Sequence, residues 1–279
     1  MTELDDLDFT RPAKHEIYDP AVACACFEAL GTAEDLAQGK AFFVEGQVSD
    51  RMYLLAAGEV TLLRGRKPLD IVKAGEIFGE LATILHQPRS ASALARTPCR
   101  AYSLDTRQFQ RALQQTPEFA LMLLGIMVSR LRLRIQMLGL TRSIPDWGGR
   151  EAGALFDRAL LDEWVAALPE HPPQRVPAGQ VITREGEGGI FMYLVLQGQV
   201  AVSIQDTVVE RVGPGGIFGE MALIDQSPRA ATATAQTACL FLTINRNDFL
   251  ALVRSNPGFA VSLLRGVAER LRTMTSASH

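Results

Sequence analysis

The feature that most constrains this chain is an internal repeat. Gly39, Glu45, Gly46, Met52, Tyr53, Gly58, Val60, Gly75, Phe78, Gly79, Glu80, Pro88, Arg89, Cys99, Phe109, Pro117, Phe119 and Arg130 all recur 140 positions later, from Gly179 through to Arg270. No gap is needed between Gly39 and Arg134, and about a third of the positions are identical. Such a pattern requires two copies of one domain. With 279 residues, 47% of them apolar, each copy has enough material to bury its own core. The expected division is a tail over residues 1–17, a first domain over 18–144 and a second over 145–279. The turn-rich stretch Ile144–Arg150 (IPDWGGR) serves as the linker, and a helix is expected from about Glu151 to Leu168, before Pro172 and Pro173.

Inside each copy, short apolar runs are cut by glycine. Met52–Ala56 (MYLLA), Gly58 and Val60–Leu63 (VTLL) correspond to Met192–Leu196 (MYLVL), Gly198 and Val200–Ile204 (VAVSI). Runs of this kind suit a β-roll or jelly-roll barrel. Two helices close each unit, which makes the fold class α+β. Asp105 and Asn245 are placed to cap the first of them, and Thr116-Pro117 and Asn256-Pro257 to start the second. The last helix has Phe119, Leu123, Met127 and Leu131 on one face, mirrored by Phe259, Leu263, Val267 and Leu271.

Several function classes lose support from composition. The net charge of −3 is spread along the chain, so no basic footprint for nucleic acid or an anionic membrane is visible. The start, MTELDDLDF, lacks the basic and apolar regions of a secretory signal, and a cytoplasmic location is expected. Phe119–Val128 (FALMLLGIMV) is half a membrane span and reads as a buried or subunit-facing helix. Cys24, Cys26, Cys99 and Cys239 form no CxxC, and the four histidines are scattered, so no metal site or disulfide framework is expected. Cys99 and Cys239 hold one repeat position and read as small buried residues. No nucleophile–base pair or carboxylate dyad points to an enzyme.

The chemistry is concentrated in two related segments, GEIFGELATILHQPRSASALA (Gly75–Ala95) and GGIFGEMALIDQSPRAATATA (Gly215–Ala235). Gly79 and Gly219 allow a sharp turn into a short helix whose amides face an anion. The lysine and hydroxyl of a triphosphate loop are missing, while one arginine per segment, Arg89 or Arg229, suits an anion of about one charge. Glu80 and Glu220 are acceptors that fit a ribose hydroxyl, and Ala91 and Ala231 let backbone amides approach the phosphate. A phosphodiester and a free hydroxyl on one sugar describe a 3′,5′-cyclic nucleotide. The alternative is a structural salt bridge within each segment, Glu80 to Arg89 and Glu220 to Arg229.

Both segments resemble the phosphate-binding cassette of the cyclic-nucleotide-binding domain family, approximately F-G-E-x-A, a spacer, then P-R-x-A. FGEMALIDQSPRAAT is similar to the cassette of regulatory subunits of cyclic-AMP-dependent protein kinases, and the ligand domain of catabolite activators shares the pattern; Thr83 and Ser90 are departures in the first copy. The resemblance implies a first site lined by Gly79, Glu80, Leu81, Ala82, Arg89, Ser90 and Ala91. It implies a second lined by Gly219, Glu220, Met221, Ala222, Arg229, Ala230 and Ala231. A threonine after the arginine is associated in the family with cyclic GMP through its hydroxyl, so Ala230 favours cyclic AMP over cyclic GMP at the second site, while Ser90 has a hydroxyl but also resembles cyclic-AMP-binding bacterial members and decides little. Candidate base caps are Arg132 or Arg134 for the first site and Met274 or Thr275 for the second.

The resemblance therefore implies a cytoplasmic receptor with two cyclic-nucleotide sites and no cofactor. Ligand moves the helices at the end of each domain and changes a surface for an effector protein, with a homodimer through those helices as a further expectation. Direct DNA binding through a helix-turn-helix after the last domain is not expected, nor is an inhibitor segment with paired arginines before the first, where only Arg11 (FTRPAK) stands. A kinase regulatory subunit-like inhibitor and a scaffold with unliganded cassettes remain the alternatives.

Overall fold

The computed structural model describes residues 20–140, 150–167 and 172–276. The first repeat runs α1 (Pro20–Leu30), β1 (Thr32–Leu36), β2 (Ala41–Phe43), β3 (Met52–Ala57), β4 (Glu59–Arg64), β5 (Lys67–Lys73), β6 (Ile77–Phe78), α2 (Glu80–Leu85), β7 (Ser92–Ala95), β8 (Cys99–Leu104), α3 (Thr106–Gln115) and α4 (Pro117–Leu140). The second follows with β9 (Arg150–Ala152), α5 (Arg158–Ala167), β10 (Gln174–Val176), β11 (Val181–Thr183), β12 (Phe191–Gln197), β13 (Val200–Ile204), β14 (Thr207–Val212), β15 (Ile217–Phe218), α6 (Glu220–Asp225), β16 (Thr232–Ala235), β17 (Cys239–Asn245), α7 (Arg246–Ser255) and α8 (Pro257–Ser276).

Each repeat is a β-roll of two sheets with helices attached, as the glycine-cut strands predict. The first repeat pairs its strands in the orders β1-β8-β3-β6 and β2-β7-β4-β5, all antiparallel. The second repeats this as β10-β17-β12-β15 and β11-β16-β13-β14, with β9 added in parallel to β14. That added strand corrects the expected helix from Glu151. Arg150, Glu151 and Ala152 lie opposite Glu210, Arg211 and Val212, and α5 starts only at Arg158, where the Asp157 carboxylate accepts from the Leu160 amide at 2.9 Å. A free sheet edge outcompetes the weak helix preference of three residues before a glycine. The proposed linker, apart from Arg150, lies outside the described residues, as does the tail over residues 1–17.

The cores match position by position. Leu55, Val60, Val72, Phe78, Ala93, Ala95 and Cys99 in the first are Val195, Val200, Val212, Phe218, Ala233, Ala235 and Cys239 in the second. One aromatic changes place. The first core has Phe43 on β2 and Ala101 on β8, whereas the second has Thr183 on β11 and Phe241 on β17. Phe43 lies 6.0 Å from Phe78 between ring centroids, and Phe241 lies 5.5 Å from Phe218. Both arrangements supply one large ring to a close-packed interior. All four cysteines are free thiols, and Cys99 and Cys239 are buried.

Helix boundaries follow the sequence signals. Asp105 and Gln108 form a capping box at 2.8 Å in both directions, and Asn256 accepts from the Phe259 amide at 3.0 Å. Phe119, Leu123, Met127 and Leu131 are buried, as are Phe259, Leu263, Val267 and Leu271. No helix among the described residues is long and apolar enough to cross a membrane.

The compact units are not the two repeats. One consists of residues 18–137 with 247–279, and the other contains residues 138–246. α7 and α8, which close the second repeat in sequence, thus belong with the first β-roll. There α8 packs against α2 and α3, and Arg254 of α7 lies 3.6 Å from Glu118 of α4.

Candidate functional site

In both cassettes a buried phenylalanine, Phe78 or Phe218, ends a two-residue strand and is followed by a left-handed glycine, φ +76° at Gly79 and +79° at Gly219. The arginine fixes this requirement as firmly as the backbone does. A Cβ on Gly79 would lie 2.7 Å from Arg89 Nη1, and one on Gly219 would lie 2.6 Å from Arg229 Nη1. The turn leads into α2 or α6, whose first residues Glu80 and Glu220 are 3% and 2% exposed.

Arg89 is 3% exposed. Its Nη1 donates to the Gly79 carbonyl at 2.7 Å, and its Nη2 donates to Ser49 Oγ at 2.7 Å and the Arg51 carbonyl at 2.5 Å. Its Cζ stands 3.9 Å over the centre of the Phe43 ring. Burial pulls the guanidinium pKa down, against the opposing fields of Tyr53, Glu80 and Asp50. An arginine does not release its proton in response, so the site holds a desolvated cation. None of its acceptors is a carboxylate, and its buried Nε has no partner. The arrangement suits an anion that accepts from Nε and supplies the missing charge.

The expected alternative, a bridge from Glu80 to Arg89, is not the pairing found. Arg130 of α4 takes Glu80 at 2.5 Å and also donates to the Ile77 carbonyl at 2.9 Å. The two charges of the cassette are therefore held apart, the cation by backbone and ring, the anion by a helix.

A cavity of about 380 Å³ opens above them, within the size range of small-ligand pockets. Gly79, Glu80, Leu81, Ala82, Arg89, Ser90 and Ala91 all line it, together with Arg134 from α4. Arg132 is not among its walls. Thr275, expected beside the second cassette, lines the first cavity with Leu271, because α8 packs in the first unit; Met274 is buried on the same helix. Leu69, Leu133 and Met137 form an apolar rim, 39%, 55% and 52% exposed.

The second cassette repeats the arginine's backbone bonds, with Arg229 Nη1 donating to the Gly219 carbonyl and Nη2 to the Phe191 carbonyl, both at 2.7 Å. Burial lowers its pKa too, opposed by Tyr193 and Glu220. Ala222 is buried, and Met221, Ala230 and Ala231 are half-buried around it. Its neighbours differ. Thr183 replaces the phenylalanine, and Gly189 replaces Ser49, with so little room that a Cβ there would lie 2.0 Å from Arg229 Nε.

Among the residues that line the cavity, Phe43, Arg64 and Arg130 are not singled out as site residues by the sequence. Arg130 had a visible signal, since it interrupts an apolar helical run and recurs as Arg270. Phe43 and Arg64 lack counterparts in the second copy, so the repeat could not flag them.

The profile of the family described as Cyclic nucleotide-binding domain matches residues 33–116 and 173–256. The chain is 29% identical over 221 residues to a cAMP-dependent protein kinase regulatory subunit from Yarrowia lipolytica, covering 77% of this chain and 52% of that protein. It is 40% identical over 130 residues to a cyclic nucleotide-gated potassium channel from Rhizobium etli, covering 46% of this chain and 36% of that protein. The chain thus spans about half or less of these relatives. A solved structure, "cAMP bound PfPKA-R (141-441)", is similar at 23% identity and a TM-score of 0.33, covering 82% of this chain and 76% of that one.

Proposed function

Because the chain belongs to the cyclic nucleotide-binding domain family in both of its repeats, we propose that it is a two-site receptor for cyclic AMP that passes ligand binding to a partner protein. The observation that carries this reading is the Arg89 guanidinium: buried, hydrogen-bonded to no carboxylate, with Nε unmatched, on a residue that lines the cavity. A cyclic phosphate meets it with charge and acceptors together. The ribose hydroxyl then lies toward Glu80, and the purine toward the apolar rim of Leu69, Leu133 and Met137, whose exposure it reduces. Gly219, Glu220, Met221, Ala222, Arg229, Ala230 and Ala231 take the same roles at the second site.

Cyclic AMP is favoured over cyclic GMP on two grounds. Ala230 offers the second site no hydroxyl, and at the first site Thr275 Oγ1 already donates its proton to the Leu271 carbonyl at 2.7 Å. What remains on that hydroxyl is an acceptor, which matches the 6-amino group of adenine and not the 6-oxo group of guanine.

Transmission runs through Arg130. A ribose hydroxyl that engages Glu80 acts on the carboxylate that α4 holds, so the liganded and free cassettes favour different helix positions; such a difference in affinity is what a signal requires. The similarity to a kinase regulatory subunit supports a protein kinase as the partner. The chain itself acts as a binding protein, without catalysis.

Thermal unfolding with cyclic AMP, cyclic GMP and 5′-AMP tests this. At a hundredfold excess over Kd the native state gains about 2.7 kcal/mol, which raises the melting temperature by several degrees. Cyclic AMP is expected to give the largest rise and 5′-AMP none. No rise with either cyclic nucleotide would favour a structural scaffold.

A further inference from the structure

The last turn of a helix leaves carbonyls without intrahelical donors. In α8, which ends at Ser276, one of these belongs to Thr275, and it is taken by a residue far away in sequence: Arg64 at the end of β4 donates from Nη1 at 2.9 Å. The same guanidinium donates from Nε to the Ser90 carbonyl, at 3.3 Å. Ser90 directly follows the anion-facing Arg89. On the other side of Arg89, the Pro88 carbonyl accepts from Arg272 of α8 at 3.1 Å. Both chain neighbours of Arg89 are thus tied by arginine to the last turns of a helix that belongs, in sequence, to the other repeat.

Arg64 also lines the cavity, beside Leu271 and Thr275. A fixed cation at the C-terminal end of α8 is favourable for the helix dipole, and a planar fork reaches two carbonyls where an ammonium supplies a single point of charge. We propose that Arg64 is a positioning residue that holds the end of α8 against the first cassette, so that the first site is completed by the second repeat's terminal helix and its ligand is sensed there. The coupling to ligand rests on the cyclic-nucleotide reading above; the tie itself does not.

The test uses the full chain in an Arg229→Ala background, so that only the first site titrates, with Arg64→Ala and Arg64→Lys added separately. Hydrogen exchange of residues 271–276 is followed without ligand and with saturating cyclic AMP, alongside calorimetry and a melting curve to check folding. Without ligand, Arg64→Ala is expected to speed exchange there about tenfold, the loss of a charge-assisted bond. Its cyclic AMP affinity is expected to fall by a similar factor, with the ligand-induced slowing of exchange reduced, and Arg64→Lys should lie between. Unchanged ligand-free exchange in Arg64→Ala overturns the tie. Faster exchange with unchanged affinity overturns the coupling. An absent cyclic AMP event in the parent overturns the ligand reading and the coupling with it, while the ligand-free arm still decides the tie.

Discussion

Arg89 and Arg229 hold the same repeat position, yet single neighbours make their surroundings unequal. Phe43 gives Arg89 an aromatic face at 3.9 Å and Ser49 gives it a third acceptor. Arg229 lacks both of these, keeps only the more distant Tyr193 ring at 5.9 Å, and has its Nε against the bare backbone of Gly189. Space, not backbone conformation, requires glycine there, since Gly189 is absent from the positive-φ residues. Gly189→Ser therefore pushes the guanidinium out of place. Calorimetry in an Arg89→Ala background is expected to show the second site weakened at least about tenfold, or roughly 1.4 kcal/mol. Unchanged affinity would mean that Arg229 is free to shift without consequence for the ligand. The equivalent glutamates of the EG pairs show how a motif is legible while its role is not. Glu45 accepts from the Gly65 amide at 2.7 Å and Glu185 from the Gln205 amide at 2.9 Å, so each acid is tied to a hairpin turn of its own repeat.

Among elements, the exchange of one ring between β2 and the strand that pairs with β3 or β12 shows how two sequences fill one core. Phe43→Thr alone empties the first core and removes the ring under Arg89, at a cost of about 3 kcal/mol or more. Adding Ala101→Phe, the arrangement of the second repeat, is expected to restore most of that loss in denaturant unfolding while leaving ligand affinity at the first site reduced. Equal instability of the single and double variants would show that the cores are not interchangeable. Elements whose signals are local were readable: the Asp105 cap, the start of α4 at Pro117 and the short helix after Gly79. The strand β9 was not, because only the exposed edge of β14 makes a strand of Arg150–Ala152. Likewise the apolar face of α8 announces that Leu263, Val267 and Leu271 are buried, but not which β-roll buries them.

At the scale of the molecule, the repeat predicts two similar domains and the compact units combine them differently. Sequence periodicity fixes the number of β-rolls and the contents of both cassettes. It carries no information on which copy receives the terminal helices, since both copies offer the same kind of apolar surface to the same kind of helix. The consequence is functional: Leu271 and Thr275 line the first cavity from the far end of the chain. The central claim remains that each repeat holds one cyclic nucleotide through one arginine, and calorimetric titration of the full chain with cyclic AMP tests it most directly. Two binding equivalents are expected for the parent, and one each for Arg89→Ala and Arg229→Ala, the lost event weakened by about 2 to 5 kcal/mol. Two undiminished equivalents in either variant, or none in the parent, would contradict it.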